Sequence, residues 1–402
     1  MAINITKLLA AINTKVTAAD SSQSIIELNR LASAATLGND VKHARIFTAL
    51  TDLPTADSTN VGDIVRVGAT LDSDTTKYYL SHNDKWKLIT LQDSSTISQG
   101  GGGGYSFQGS NFGYASGGSV PSGPINVIEK FSFTSDGNAT DVADLTIARS
   151  AEAGQSSTVS GYTSGGTEPP ATGLSNVIDK FPFAADGNAT DVGDLTVTRN
   201  LAGGQSSSDN GYSAGGRTPG YVNTIDKFSF ASDGNATDVG DTVSTLYGPS
   251  GQNSPSTGYV SGGTFPPTDP EGVYTNVIQK FPFASDANAT NVADLTVSRR
   301  QAAGQSSSAS GYTSGGINPG DANAQTTIDK FPFASDTNAT DVGDHLVATY
   351  GSAGQSSTAS GYISGGVSLK NDIQKFSFSS DGNATDVGNL TVGKQNLVGQ
   401  QY

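Results

Sequence analysis

Apolar residues recur along this chain in two rhythms. Near the N-terminus the spacing is helical. Ile5, Leu8, Leu9, Ile12 and Val16 fall on one face, and Ile25, Ile26, Leu28, Leu31 and Ala35 form a second stripe that stops at Gly38. Ser21 or Ser22 can cap the second helix by accepting its free N–H groups. Two such stripes predict helices that fold back on their own chain or join a bundle with sister chains. From Val61 the rhythm changes to alternation: Val61–Val67 reads as a strand. Tyr78–Leu80 and Lys85–Ile89 read as a hairpin turning through Ser81-His82-Asn83-Asp84. Gly100 to Gly104, with Ser94, Ser95 and Ser98 before them, break all patterning and read as a linker.

Beyond the linker the alternation becomes a repeat. A Tyr-x-Ser/Ala-Gly-Gly strand begins at Gly113, Gly161, Gly211, Gly258, Gly311 and Gly361, with start-to-start spacings of 48, 50, 47, 53 and 50 residues. A Lys-Phe-x-Phe strand follows each, from Lys130, Lys180, Lys227, Lys280, Lys330 and Lys375. A unit of this size cannot bury its own apolar face, so the units must stack into an array. Within one unit, Ala303–Ser307 is a strand of small residues and Gly311–Gly316 a second strand. Thr327–Phe333 is a third strand, and the chain returns through Ala339–Asp344. Four antiparallel strands per unit describe one blade of a β-propeller. Small residues suit the crowded axis, and the Phe pairs suit the wider gap farther out.

The expected fold is therefore mainly β: a six-bladed propeller over 105–402. Helices at 1–38, a small β module at 39–93 and a Gly/Ser linker at 94–104 precede it. Seven segments compete for six inner-strand places. Lys394–Gln400 is in register with the inner strands, and Tyr105–Gln108 can also play that role in front of the first blade. The C-terminal segment, paired beside Gly113–Gly118, is the expected closure.

Composition narrows the function. The formal charge of −15 disfavours nucleic acid as a partner, since little is present to displace counterions from phosphates. Cysteine is absent, which removes disulfides and thiolate metal sites. No run approaches the ~20 apolar residues of a membrane-spanning helix, and the start of the chain carries no secretory pattern. His43, His82 and His345 are scattered, and a carboxylate repeated in every blade lacks the distinct environment that catalysis needs, so no enzyme is expected.

Two sets of residues carry candidate chemistry. The repeated Asp-x-Asn-Ala-Thr block sets oxygens at calcium-loop spacing, with Asp136, Asn138 and Asp144 in the first copy and Asp186, Asn188 and Asp194 in the second. The same residues suit turns without any metal, and no cofactor is required. The second set lies in the connections after each double glycine, which vary while the frame holds. In repeat proteins such insertions collect on one face, often the binding face. Arg217, Tyr221, Phe265 and Tyr274 are the residues there best able to stack on a sugar or anchor a protein.

Two resemblances follow from these residues. The double glycine, the aromatic third strand and Arg149, Arg199 and Arg299 six residues before Gln155, Gln205 and Gln305 resemble the kelch family of β-propellers. The outer strand departs from it, with Val142, Val192, Val239, Val292, Val342 and Val387 where kelch repeats usually carry Trp. Leu53-Pro54, Val61-Gly62-Asp63, the Tyr-rich strand and the Trp86 strand resemble a short module of bacteriophage tail-fibre and other virion proteins. That resemblance implies a virion location, an N-terminal region docked to other virion proteins, and a homo-oligomer such as a trimer. It casts the propeller as an adhesin for a host surface glycan or protein. The alternatives are a capsid or tail decoration protein with a purely structural role, and a polysaccharide-degrading virion enzyme.

Overall fold

In the computed structural model, the described residues are 46–47, 64–67, 77–82, 85–89, 108–170, 173–265, 273–318 and 324–402. The chain divides into two compact units, Met1–Gly103 and Gly104–Tyr402. The helices expected over 1–38 lie outside the described residues. In the first unit, Ile46–Phe47, Ile64–Val67, Lys77–His82 and Lys85–Ile89 form one sheet in that order. The first pair is parallel and the others are antiparallel. The expected hairpin is present, with His82 facing Lys85, so two residues separate the strands rather than four.

The second unit is a six-bladed β-propeller, each blade a four-stranded antiparallel meander. In blade 2 the strands run Ala153–Ser156, Ser160–Ser164, Val177–Pro182 and Thr190–Asp194 from the axis outward. The ring closes as expected: Val398–Gln401, the last strand of the chain, is the inner strand of blade 1. It pairs antiparallel with Phe112–Ser116, Gln400 opposite Tyr114. Closure leaves no inner sheet edge open to another chain.

Small residues at the axis have a steric cause. A Cβ added to Gly251 would lie 2.0 Å from the Gly204 carbonyl oxygen. The same near-contact runs round the circle through Gly304, Gly354, Gly399 and Gly154. Backbone therefore touches backbone around the axis, where no side chain fits. The double glycines have a conformational cause: Gly165 and Gly166 take φ of 67° and 113°, which L-residues avoid.

Most of the repeated residues bind one blade to the next. Each repeat Tyr packs on the Phe pair of the following blade. Tyr114 lies 5.5 Å from Phe181 and 5.0 Å from Phe183, and the series ends with Tyr362 on Phe131 and Phe133. Each inner-strand Gln donates to the neighbouring Tyr carbonyl, from Gln155 to Tyr212 through to Gln400 to Tyr162. Near the end of the inner strands, Ser156, Ser206, Asn253, Ser306, Ser356 and Gln401 form a closed belt. Each residue's N–H donates to the next one's side-chain oxygen. At the opposite end a second belt is pure backbone: Leu201 N–H donates to Ala151, Gly248 to Leu201, Gln301 to Gly248, Gly351 to Gln301, Asn396 to Gly351 and Ala151 to Asn396.

The propeller thus has two unlike ends. The hairpin end holds the Ser belt and the turns between third and outer strands. The chain enters the propeller here, with Gly109 N–H donating to the Ser356 carbonyl. The loop end holds the backbone belt, the double glycines and the connections of varying length.

Candidate functional site

A residue repeated in every blade and engaged in joining blades is already explained. What remains are positions where the repeats differ. The proposed calcium oxygens belong to the explained set. Asp136 accepts from Lys375 at 2.8 Å and Asp186 from Lys130 at 2.5 Å, and all six hairpin aspartates take the neighbouring blade's lysine in this way. Asn138 Oδ1 accepts the Asn389 N–H, and Asn188 Oδ1 accepts the Asp144 N–H. Asp194 meets Asn235 through its backbone N–H in the same way. Among the described residues no three His, Cys, Asp or Glu side chains gather as a metal site.

Arg149, Arg199 and Arg299 are likewise structural. Each is fully buried and pairs with a fully buried Asp on the next blade: Asp179 at 2.7 Å, Asp226 at 2.5 Å and Asp329 at 2.6 Å. A β-bulge recurs beside this carboxylate, between Ile178 and Asp179 in blade 2. Such a bulge re-aims a side chain, and here the carboxylate also accepts the Thr146 N–H and hydroxyl. At the closing interface Lys394 pairs with Glu129 at 2.7 Å. A shorter cation meets a longer acid, and the span is filled. At the two remaining interfaces cation and acid are both gone. Leu246 stands opposite Gln279, and Thr349 opposite Gln374; each Gln still accepts the backbone N–H, from Val243 and Leu346.

The repeats diverge most at the loop end. The residue after the Arg position reads Ser150, Asn200, Tyr247, Arg300, Tyr350 and Gln395 around the circle. Each is held in place by backbone pairing to the residue after a double glycine, as Tyr247 is to Thr264 and Arg300 to Ile317. From this rim and the adjoining loops the fold assembles a column of stacked groups. Tyr221 of the blade 3 loop lies on Tyr247, centroids 4.9 Å apart and planes at 11°. The Arg300 guanidinium lies 4.9 Å from the Tyr247 ring and 4.9 Å from Tyr274 of the blade 4 loop. Partial burial lowers the pKa of Arg300, while Tyr221 and Tyr350 act in the opposite sense. Its Nε is buried without a partner.

The four sequence candidates thus fare differently. Tyr221 and Tyr274 meet in the column. Arg217 is exposed beside it, its backbone bridged to both Asn200 and Tyr221. Phe265 pairs with Val273 in a short hairpin and packs against the core cluster that holds Tyr212 and Leu246, so its ring is partly buried. Tyr247 and Arg300 escaped the sequence reading because they lie just outside the variable loops. Their signal is the divergence of one rim position while its neighbours repeat.

The axial cavity at the loop end is about 130 Å³, bounded by Leu201, Gly248, Gln301, Gly351 and Asn396 among others. Small-molecule sites usually span roughly 300–1,000 Å³. A sugar or peptide would therefore lie across the rim rather than within the axis.

No family model matches the sequence, and no curated protein matches it. Among solved structures, one titled "Structure of YjhT" aligns with a TM-score of 0.52 at 13% sequence identity, over 63% of this chain and 88% of that one. At that identity the likeness is one of fold alone. It says nothing of a shared site.

Proposed function

We propose that this is a bacteriophage virion protein, a tail fibre or tail-associated adhesin, whose propeller recognises a host surface through its loop end. The N-terminal region docks to other virion proteins and carries the protein as a homo-oligomer. The observation that carries recognition at the loop end is the Tyr221–Tyr247–Arg300–Tyr274 column. It is built wholly from positions where the repeats diverge. Stacked tyrosines beside arginine suit sugar faces and protein anchors alike. The virion assignment is supported by the resemblance of residues 44–90 to tail-fibre modules, and the kelch resemblance by the double glycines and the arginine positions.

The test has two parts. Antibody labelling of intact particles by electron microscopy is expected to place the protein on the tail exterior. Purified full-length protein is expected to bind host cells and to compete with infection, with Tyr274→Ala weakening both. Labelling only at contacts between virion proteins, with no cell binding, would favour the decoration role instead.

A further inference from the structure

We infer that the Tyr–Arg column is a subsite for an acidic polysaccharide, one whose sugars carry carboxylates; this deepens the proposed recognition role and rests on it. The first ground is where unpaired positive charge lies. Among the described residues of the propeller, lysines and arginines other than Arg217, Arg300 and Lys370 each hold a carboxylate. The three exceptions all lie at the loop end. Lys370 Nζ donates to the Ala348 carbonyl, leaving Arg217 and Arg300 beside the aromatic column. In a chain of net charge −15, cations left free at one end only of the described propeller point to an anionic partner there.

The second ground is how Arg300 is held. Tyr247 and Tyr274 lie over its guanidinium, its Nε is buried without a partner, and among the described residues no hydrogen bond from its guanidinium is seen. What stacking leaves is the N–H edge, which matches a carboxylate bidentately. The third ground is shape. The axial cavity is smaller than usual small-molecule sites, whereas the column runs along the rim from blade 3 to blade 5. That geometry suits an extended strand, with sugar faces against tyrosine and a carboxylate on the guanidinium edge.

The experiment is binding of full-length protein to immobilised polygalacturonate, dextran sulfate and neutral dextran, at low and high salt. Polygalacturonate is expected to bind best, and more weakly at high salt. Arg300→Ala is expected to weaken binding roughly tenfold or more. Arg300→Lys, which keeps charge without the planar fork, is expected to restore only part of it. Melting temperatures of the variants check folding. Equal binding of neutral dextran, stronger binding of dextran sulfate, no binding to any of the three, or no effect of Arg300→Ala in a folded protein would each overturn the inference. Host-cell binding that survives Arg300→Ala would overturn the acidic-sugar assignment alone and leave the adhesin role standing. Loss of the adhesin role itself would appear in the particle labelling.

Discussion

Glu152 and His345 are lone departures at positions otherwise filled by small or apolar residues, and each creates a buried polar group without a partner. Glu152 stands where Ala202 and Ala302 stand, with its carboxyl against Gly117. Burial pushes its pKa up to about 8, against the pull of Arg149 and Lys394. A folded pKa above the unfolded value means the folded state holds a proton that the unfolded state releases. Stability from this group is therefore full below about 4.5 and is lost as pH rises toward 8. Glu152→Ala is expected to raise the melting temperature at pH 8–9 and to flatten its fall on the alkaline side. His345 replaces the leucine seen at Leu145, Leu195, Leu295 and Leu390. Burial first, then Arg299 and Lys370, lower its pKa to about 3. Here the unfolded state binds the extra proton, so stability is full above about 6.5 and is lost as pH falls toward 3. His345→Leu is expected to raise stability increasingly as pH falls from about 6.5 toward 3, as melting curves across pH would reveal.

At the scale of elements, blade joins carry the matched substitutions. The buried ion pair is present with both partners or absent with both, as Leu246 with Gln279 and Thr349 with Gln374 illustrate. Removing one partner strands a buried charge, which costs about 3–5 kcal/mol, whereas replacing both is often neutral. Arg199→Leu alone is expected to lower stability by about that amount, and Arg199→Leu with Asp226→Gln to recover most of it. Urea unfolding of the two single variants and the double variant measures the coupling. The surface Lys–Asp pairs are a different case. Their aspartates are about half exposed, and breaking one such pair is expected to cost under about 1 kcal/mol. Strand identity within the blades was legible in the sequence because Phe331 and Phe333 alternate and the glycines recur in register. The interblade destination of Asp136 and Asn138 was not, since their spacing suits a turn, a metal or a bridge equally.

For the whole molecule, closure decides stability. The Val398–Gln401 strand completes the Gln, Ser and backbone belts at once. Deleting residues 398–402 is expected to lower the melting temperature sharply and promote self-association through the exposed Phe112–Ser116 edge, measured by calorimetry and light scattering. A conservative Tyr402→Phe control keeps its ring stacked on Phe183 and is expected to change little.

Period, blade count and the location of varying loops were determined by the amino-acid order itself, because sheet alternation and glycine sterics act over a few residues and were written six times. Which diverging residues meet was decided only by the tertiary structure. Tyr221, Tyr247, Tyr274 and Arg300 come from three successive blades, and the ring's curvature alone brings them into one stack. The same holds for Glu129 and Lys394, far apart in sequence, whose pairing exists only because the circle closes.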